Sequence, residues 1–155
     1  IDVLYGASHS PERHRFAEFS IPYRYEEMVL VTHQRHMNTN FRHWASRNRI
    51  GLIRGFQYPD DIEQVLSDIP APQKTLVSTD DQLLLMIRSD RIDGYLVERA
   101  VADWQLQHSD DTLSIIPIAG ADQEPMYLML NKQLPTTVLT DLNVAIEALD
   151  YHDLQ

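Results

Sequence analysis

Apolar positions along this chain recur at two periods, and the alternation between them predicts an α/β fold. Short β-rich runs over 1–5, 25–33, 49–54, 74–77, 93–97, 112–118 and 126–131 read as strands. Residues 28–31 are apolar without interruption, as expected of a strand buried on both faces. Helical spacing falls between these runs. Pro11 suits the first turn of a short helix carrying Glu12 and Arg13, and 41–45 makes another. Over 60–66 the apolar stripe is Ile62, Val65 and Leu66. Thr79 followed three residues later by Gln82 is a capping box, opening a helix that runs to Arg88. Further helices are expected over 98–107 and over 139–149, the latter with Leu142, Ala145, Ile146 and Leu149 on its apolar face. Strands and helices in alternation predict largely parallel sheets.

Composition narrows the function. A chain of 155 residues, 43% hydrophobic and 23% charged, can bury a core without staples. Its longest apolar run, 83–87, is far too short to cross a bilayer. Thirteen Lys and Arg against 23 acids give a formal charge of −10, which opposes nucleic-acid backbones and anionic membranes alike. Cysteine is absent, so disulfides and thiolate metal sites are excluded. A strand-like run opening at once on Ile1, rather than Met, is what a chain cut from a longer one would show.

In open sheets of this kind ligands sit beyond the carboxyl ends of the strands. Three such loops carry polar residues: Ser8, Ser10 and Arg13; then Gly55, Phe56 and Gln57; then Glu98, where a strand passes into a helix. The guanidinium of Arg13 can fork a carboxylate, Ser8 adds a hydroxyl, and backbone N–H groups at Gly55 add donors for an anion. Glu98 can accept from an ammonium. Together these groups suit a zwitterion. Each also has a plainer account, as a solvated arginine, a turn glycine and an acid at a helix start.

Read in order, the segments DVLYGASHSPER (2–13), FSIPY (19–23), RIGLIRG (49–55), RIDGYLVERAVA (91–102) and EPMYLMLNK (124–132) resemble a known family. It is that of the two-lobed extracytoplasmic solute-binding proteins, of the amino-acid-binding kind that serves ABC transporters. The resemblance implies a periplasmic-binding-protein-like α/β fold with parallel-rich sheets. Its second lobe would be 31–123, and a partial first lobe would comprise 1–30 and 124–155, the front of that lobe being absent. It implies that Arg13 grips the ligand α-carboxylate with Ser8 beside it, and that Gly55 and Gln57 belong to the second-lobe loop touching the same group. Glu98 would hold the amine, and Tyr5 and Phe56 would line the pocket. Ser10 replaces the family's usual threonine, Gln57 a small hydroxyl residue, and Glu98 an aspartate.

The same resemblance implies hinge closure on a small polar solute, an amino acid or related carboxylate, without catalysis or a cofactor. An ABC permease would be the next partner. A ligand-sensing domain of a receptor, or a binding module attached to an enzyme, is the alternative. Localisation would be periplasmic or extracytoplasmic, and the exposed surface of a partial lobe would offer a face for a homodimer.

Other constellations add little. His33 and His36, three apart, lack an H-E-x-x-H context for a metal. Helix starts account for the acid pairs Asp60–Asp61 and Asp80–Asp81; a third pair is Asp110–Asp111. There is no G-x-S-x-G or P-loop, and Trp44 and Trp104 are expected in the core.

Overall fold

A computed structural model describes residues 2–36, 39–108, 112–121 and 123–149. The chain divides into two compact units: the first is built from Ile1–Glu26 and Gln123–Gln155, the second from Glu27–Asp122. The α/β class expected from the pattern is present. The acid pair Asp110–Asp111 lies outside the described residues.

The second unit is a five-stranded sheet, order β6-β5-β7-β4-β8, with helices on both faces. Its strands are β4 (Met28–His33), β5 (Ile50–Ile53), β6 (Lys74–Val77), β7 (Gly94–Glu98) and β8 (Leu113–Pro117). Parallel pairing, expected to predominate, is confined to β5 with β6 and β5 with β7; β4 runs antiparallel to both β7 and β8. The reason lies in the connections. Helices α2 (Asp60–Ser67) and α3 (Asp80–Arg88) cross between parallel strands, whereas β4 pairs with strands arriving from much later in the chain.

Along β4 the side chains alternate between two cores, so every position can be apolar. Met28 and Leu30 join the core formed with α1 (Phe41–Ala45) and α2 through Phe41, Trp44, Ile62 and Leu66. Val29 and Val31 join the other, against Leu83 and Ile87 of α3 and Ala102 of α4 (Arg99–Gln107). Thr32, buried between them, donates its hydroxyl to the carbonyl of Asp93 at 2.7 Å. The capping box at α3 forms as read: Thr79 Oγ1 accepts from Gln82 N–H. Its reciprocal arm lands one residue early, with Gln82 Oε1 accepting from Ser78 N–H at 2.8 Å.

The strand expected over 25–33 is two strands, β3 (Arg24–Glu26) and β4, broken at Glu27. Glu27 leaves the ladder to hold the start of α4. Its carboxylate accepts from Arg99 Nε at 2.7 Å and Nη2 at 3.1 Å, and its carbonyl from Arg99 N–H at 2.9 Å. The second unit therefore begins at Glu27 and keeps β4 whole, where the sequence suggested a boundary inside it.

At the other end of the same sheet Asp93 ties β7 to the start of β5. It accepts from the Arg49 fork at 3.0 Å twice and from Arg49 N–H at 2.8 Å. The side-chain bond to Arg49 holds the Asp93 carboxyl below its ordinary value, with burial opposing. A depressed carboxylate contributes stability above its unfolded pKa and loses it as pH falls through the folded value. Asp93→Asn should thus flatten the acid limb of a stability–pH curve below about pH 4 and change little at pH 7 beyond the lost ion pair. That pair is partly exposed and screened by solvent, so the loss is about 1 kcal/mol. Urea titrations of both proteins at several pH values would measure the difference, and coincident curves would refute it.

The first unit assembles around β9 (Glu124–Asn131). β1 (Val3–Ala7), β2 (Ala17–Phe19) and β3 all pair antiparallel with it, through Val3↔Leu130, Phe19↔Met129 and Arg24↔Met126. β2 was not expected, since a three-residue run such as AEF carries no period and exists because β9 pairs with it, whereas β3 was read as the front of the 25–33 strand. The FSIPY turn between them fastens to β9 through Ser20, whose N–H donates to the Leu128 carbonyl and whose hydroxyl accepts from Leu128 N–H. α5 (Thr136–Ala148) buries Ile146, and Asn143 Oδ1 accepts from Ile21 N–H at 2.9 Å. Ala145 and Leu149, expected on its apolar face, are exposed.

Candidate functional site

Arg13 and Ser8 meet in the first unit. β1 bulges at Gly6, whose φ of +68° needs a residue without Cβ, and Gly6 N–H donates to the Tyr23 hydroxyl at 3.0 Å. The chain then turns through Ser8–Ser10 into a single 3₁₀ turn, Arg13–Arg15. The Ser10 hydroxyl accepts from Arg13 N–H at 3.3 Å. Arg13 Nη1 donates to the Ser8 carbonyl at 2.9 Å and to Ser8 Oγ at 3.2 Å. The guanidinium is thereby held by one nitrogen. Among the described residues no carboxylate pairs with it, so the rest of the fork can take an anion. Tyr5, by contrast, is 77% exposed on β1.

The second unit has its own pocket, of about 130 Å³, at the carboxyl ends of the parallel strands β5, β6 and β7. Met28, Leu96 and Val101 form apolar wall; Phe56 and Tyr58 close one side; Ser78, Asp80 and Glu98 bring polar atoms. Glu98 is the N-cap of α4 but makes no cap hydrogen bond with its side chain. Asp80 opens α3. Burial, then the nearby Glu98 and Asp81 carboxylates, raise its pKa above the ordinary value. Raised acids beside a second carboxylate mark a place where a cation would be welcomed.

The loop expected to touch the ligand carboxylate is fixed by Tyr58. Its hydroxyl accepts from Ile53 N–H at 2.9 Å, its ring lies 4.8 Å from that of Phe56, and burial pushes its pKa up to about 12. Gly55 turns the chain at φ +75°, with open space where a Cβ would stand. Phe56 lines the pocket; Gly55 and Gln57 are exposed and are not among its lining residues.

Asp80 was read from the sequence as a helix-capping acid, yet it shares a pocket with Glu98. The signal was available: like Glu98, it follows a parallel strand and begins a helix. Trp104, expected in the core, is 58% exposed and stacks on His108 at 4.7 Å. His36 Nε2 accepts from Arg35 Nε at 3.1 Å, and burial, with Arg35 and His33 next, lowers its pKa. Among the described residues no three His, Asp or Glu side chains form a metal group.

No family model and no curated protein matches the sequence. Solved structures do match. A substrate-binding protein of an amino-acid ABC transporter superposes with a TM-score of 0.71 at 19% identity, covering 95% of this chain and 64% of that one. An amino-acid ABC transporter substrate-binding protein from Streptococcus pneumoniae, bound to L-arginine, gives 0.74 at 16% identity, with 94% and 61% covered. An ABC uptake transporter substrate-binding protein from Streptococcus pneumoniae, with bound histidine, gives 0.73 at 24% identity, with 96% and 62% covered. This chain has the α/β fold of amino-acid substrate-binding proteins and spans somewhat under two thirds of their length.

Proposed function

We propose that this chain is a ligand-capturing module of an extracytoplasmic solute-binding protein and takes a zwitterionic amino acid. The observation that carries the reading is Arg13. Its guanidinium is pre-set by Ser8 and has no protein carboxylate among the described residues, which is the state expected of a grip awaiting an anionic ligand. In the second unit, Glu98 and Asp80 line a pocket suited to an ammonium. At about 130 Å³ it falls below the usual ligand-site range of ~300–1,000 Å³. The solved structures with bound L-arginine and histidine support an amino acid as the ligand class.

A ligand that binds one conformation better than another shifts the equilibrium toward it, so capture proceeds without catalysis. The liganded form would then be the one an ABC permease recognises. A thermal-shift screen of the full-length protein against the amino acids tests the reading. Ligand at ~100 times its Kd adds about 2.7 kcal/mol to the native state, a rise of several degrees in Tm. No shift with any amino acid, at millimolar concentrations, would overturn it.

A further inference from the structure

We propose that His9 and His14 form a binding site for a divalent transition-metal ion of the zinc, nickel or copper kind. The two Nε2 atoms face each other in direct hydrogen-bonding contact across the turn. Their rings meet edge to face, with centroids 4.2 Å apart and planes at 73°. The pair does not stand loose in solvent. Phe19 lies 5.0 Å from His9 and 4.9 Å from His14, and Tyr127 lies 5.6 Å from His9, so two rings on β2 and β9 back the imidazoles.

The segment between the histidines is fixed by the contacts already described, Arg13 to Ser8 and Ser10 to Arg13. Preorganisation of this kind lowers the ordering cost of a chelate. Both histidines are exposed, so an ion can reach them and keep water in its remaining positions.

The proton count closes. In the hydrogen-bonded pair one Nε2 carries a proton and the other accepts it. With both neutral rings protonated on Nδ1, each Nε2 offers a lone pair, and one ion takes the place of the shared proton without net proton release. Selectivity follows from ligand type. The two imidazoles have no third His, Asp or Glu with them among the described residues. Lys132, whose ammonium donates to the His14 carbonyl, adds local positive charge. Hard cations that depend on carboxylates gain little there, whereas metals that favour imidazole nitrogen do. His36, the partner of His33 in the spacing-based pair, instead has its Nε2 engaged by Arg35.

Calorimetric titration of the chelator-treated full-length protein with Zn²⁺ and Ni²⁺, together with Cu²⁺ electron paramagnetic resonance, tests the assignment. One ion per chain is expected, with two nitrogen couplings in the copper spectrum and no response to Mg²⁺. H9A and H14A should each weaken binding by at least ~10-fold and reduce the couplings to one, since loss of a ligand is no milder than loss of an outer-shell partner. H33A and H36A should bind as the wild type does. His9→Gln provides a second variant should H9A prove poorly folded. Absence of metal binding to the wild type at millimolar Zn²⁺ overturns the proposal, as does binding untouched by H9A, His9→Gln and H14A.

Discussion

The Gly94→Ala variant should melt roughly 6–12 °C below the wild-type chain. A Cβ at position 94 would sit 2.7 Å from Trp44 Cζ2, 2.8 Å from its Cη2 and 2.7 Å from the carbonyl oxygen of Val31. Trp44 is fully buried and the carbonyl belongs to β4, paired on both sides in the sheet, so neither yields cheaply. Overpacking of a tight core costs about 1–3 kcal/mol and more where backbone must shift; about 3 kcal/mol is expected, a large part of a total of ~5–15. Gly55→Ala is the control. It meets open space, and only its φ of +75° is strained, for about 1 kcal/mol. Differential scanning calorimetry of both variants separates a steric cost from a conformational one. A Gly94→Ala protein melting within a degree or two of wild type would mean that β7 does not lie against Trp44 as described.

Binding should respond as strongly at the two ends of the ligand. Arg13→Ala removes a forked, charge-assisted contact and leaves the ligand carboxylate unmatched, a loss of ~2–5 kcal/mol, or at least about 30-fold in affinity. Arg13→Lys should recover only part, because an ammonium cannot offer two parallel donors. Glu98→Ala should weaken binding comparably while sparing ligands that lack an amine. Asp80 gives the pH dependence its sign. Its pKa is raised in the free protein by burial, then by Glu98 and Asp81, and an entering ammonium lowers it again. Binding therefore releases protons and weakens as pH falls through the raised value, and Asp80→Asn should remove that limb. Calorimetry on the full-length protein, repeated in buffers of different ionisation enthalpy, reads both effects. Unchanged affinity in Arg13→Ala and in Glu98→Ala together would discard the clamp.

What the sequence disclosed follows the range of the interactions involved. The helix Phe41–Ala45 and the strand Lys74–Val77 fall where the pattern puts them, and Thr79 with Gln82 announces α3, because a cap and an apolar stripe are local. The strand β2 was invisible because a partner far along the chain defines it, and β3 was read as continuous with β4 for the same reason. The break at Glu27 was hidden likewise, since its cause is Arg99, distant in sequence. At the candidate site, Ser8 and Arg13 were legible as members of one loop because they are close in sequence, but the bond from Arg13 to Ser8 was not foreseen. Asp80 was not legible, because its own helix already accounted for an acid at that position, and only the packing of three strand ends discloses its neighbour Glu98.

The pairing of β1 with β9 also bears on how the chain folds. Val3 finds its partner at Leu130, whereas the whole of the second unit lies between them. Closing so long a loop in an unfolded chain is slow, and contacts of that separation form late. The chain enters the second unit on β4 and leaves it after β8, and these strands are neighbours, with Val29 opposite Pro117. Folding of the continuous segment first would shorten an otherwise very long closure to a few residues. During synthesis β1, β2 and β3 emerge early and then wait, unpaired, until β9 follows. For that interval the strand edges that β9 later pairs, at Val3, Phe19 and Arg24, are open to association with another chain.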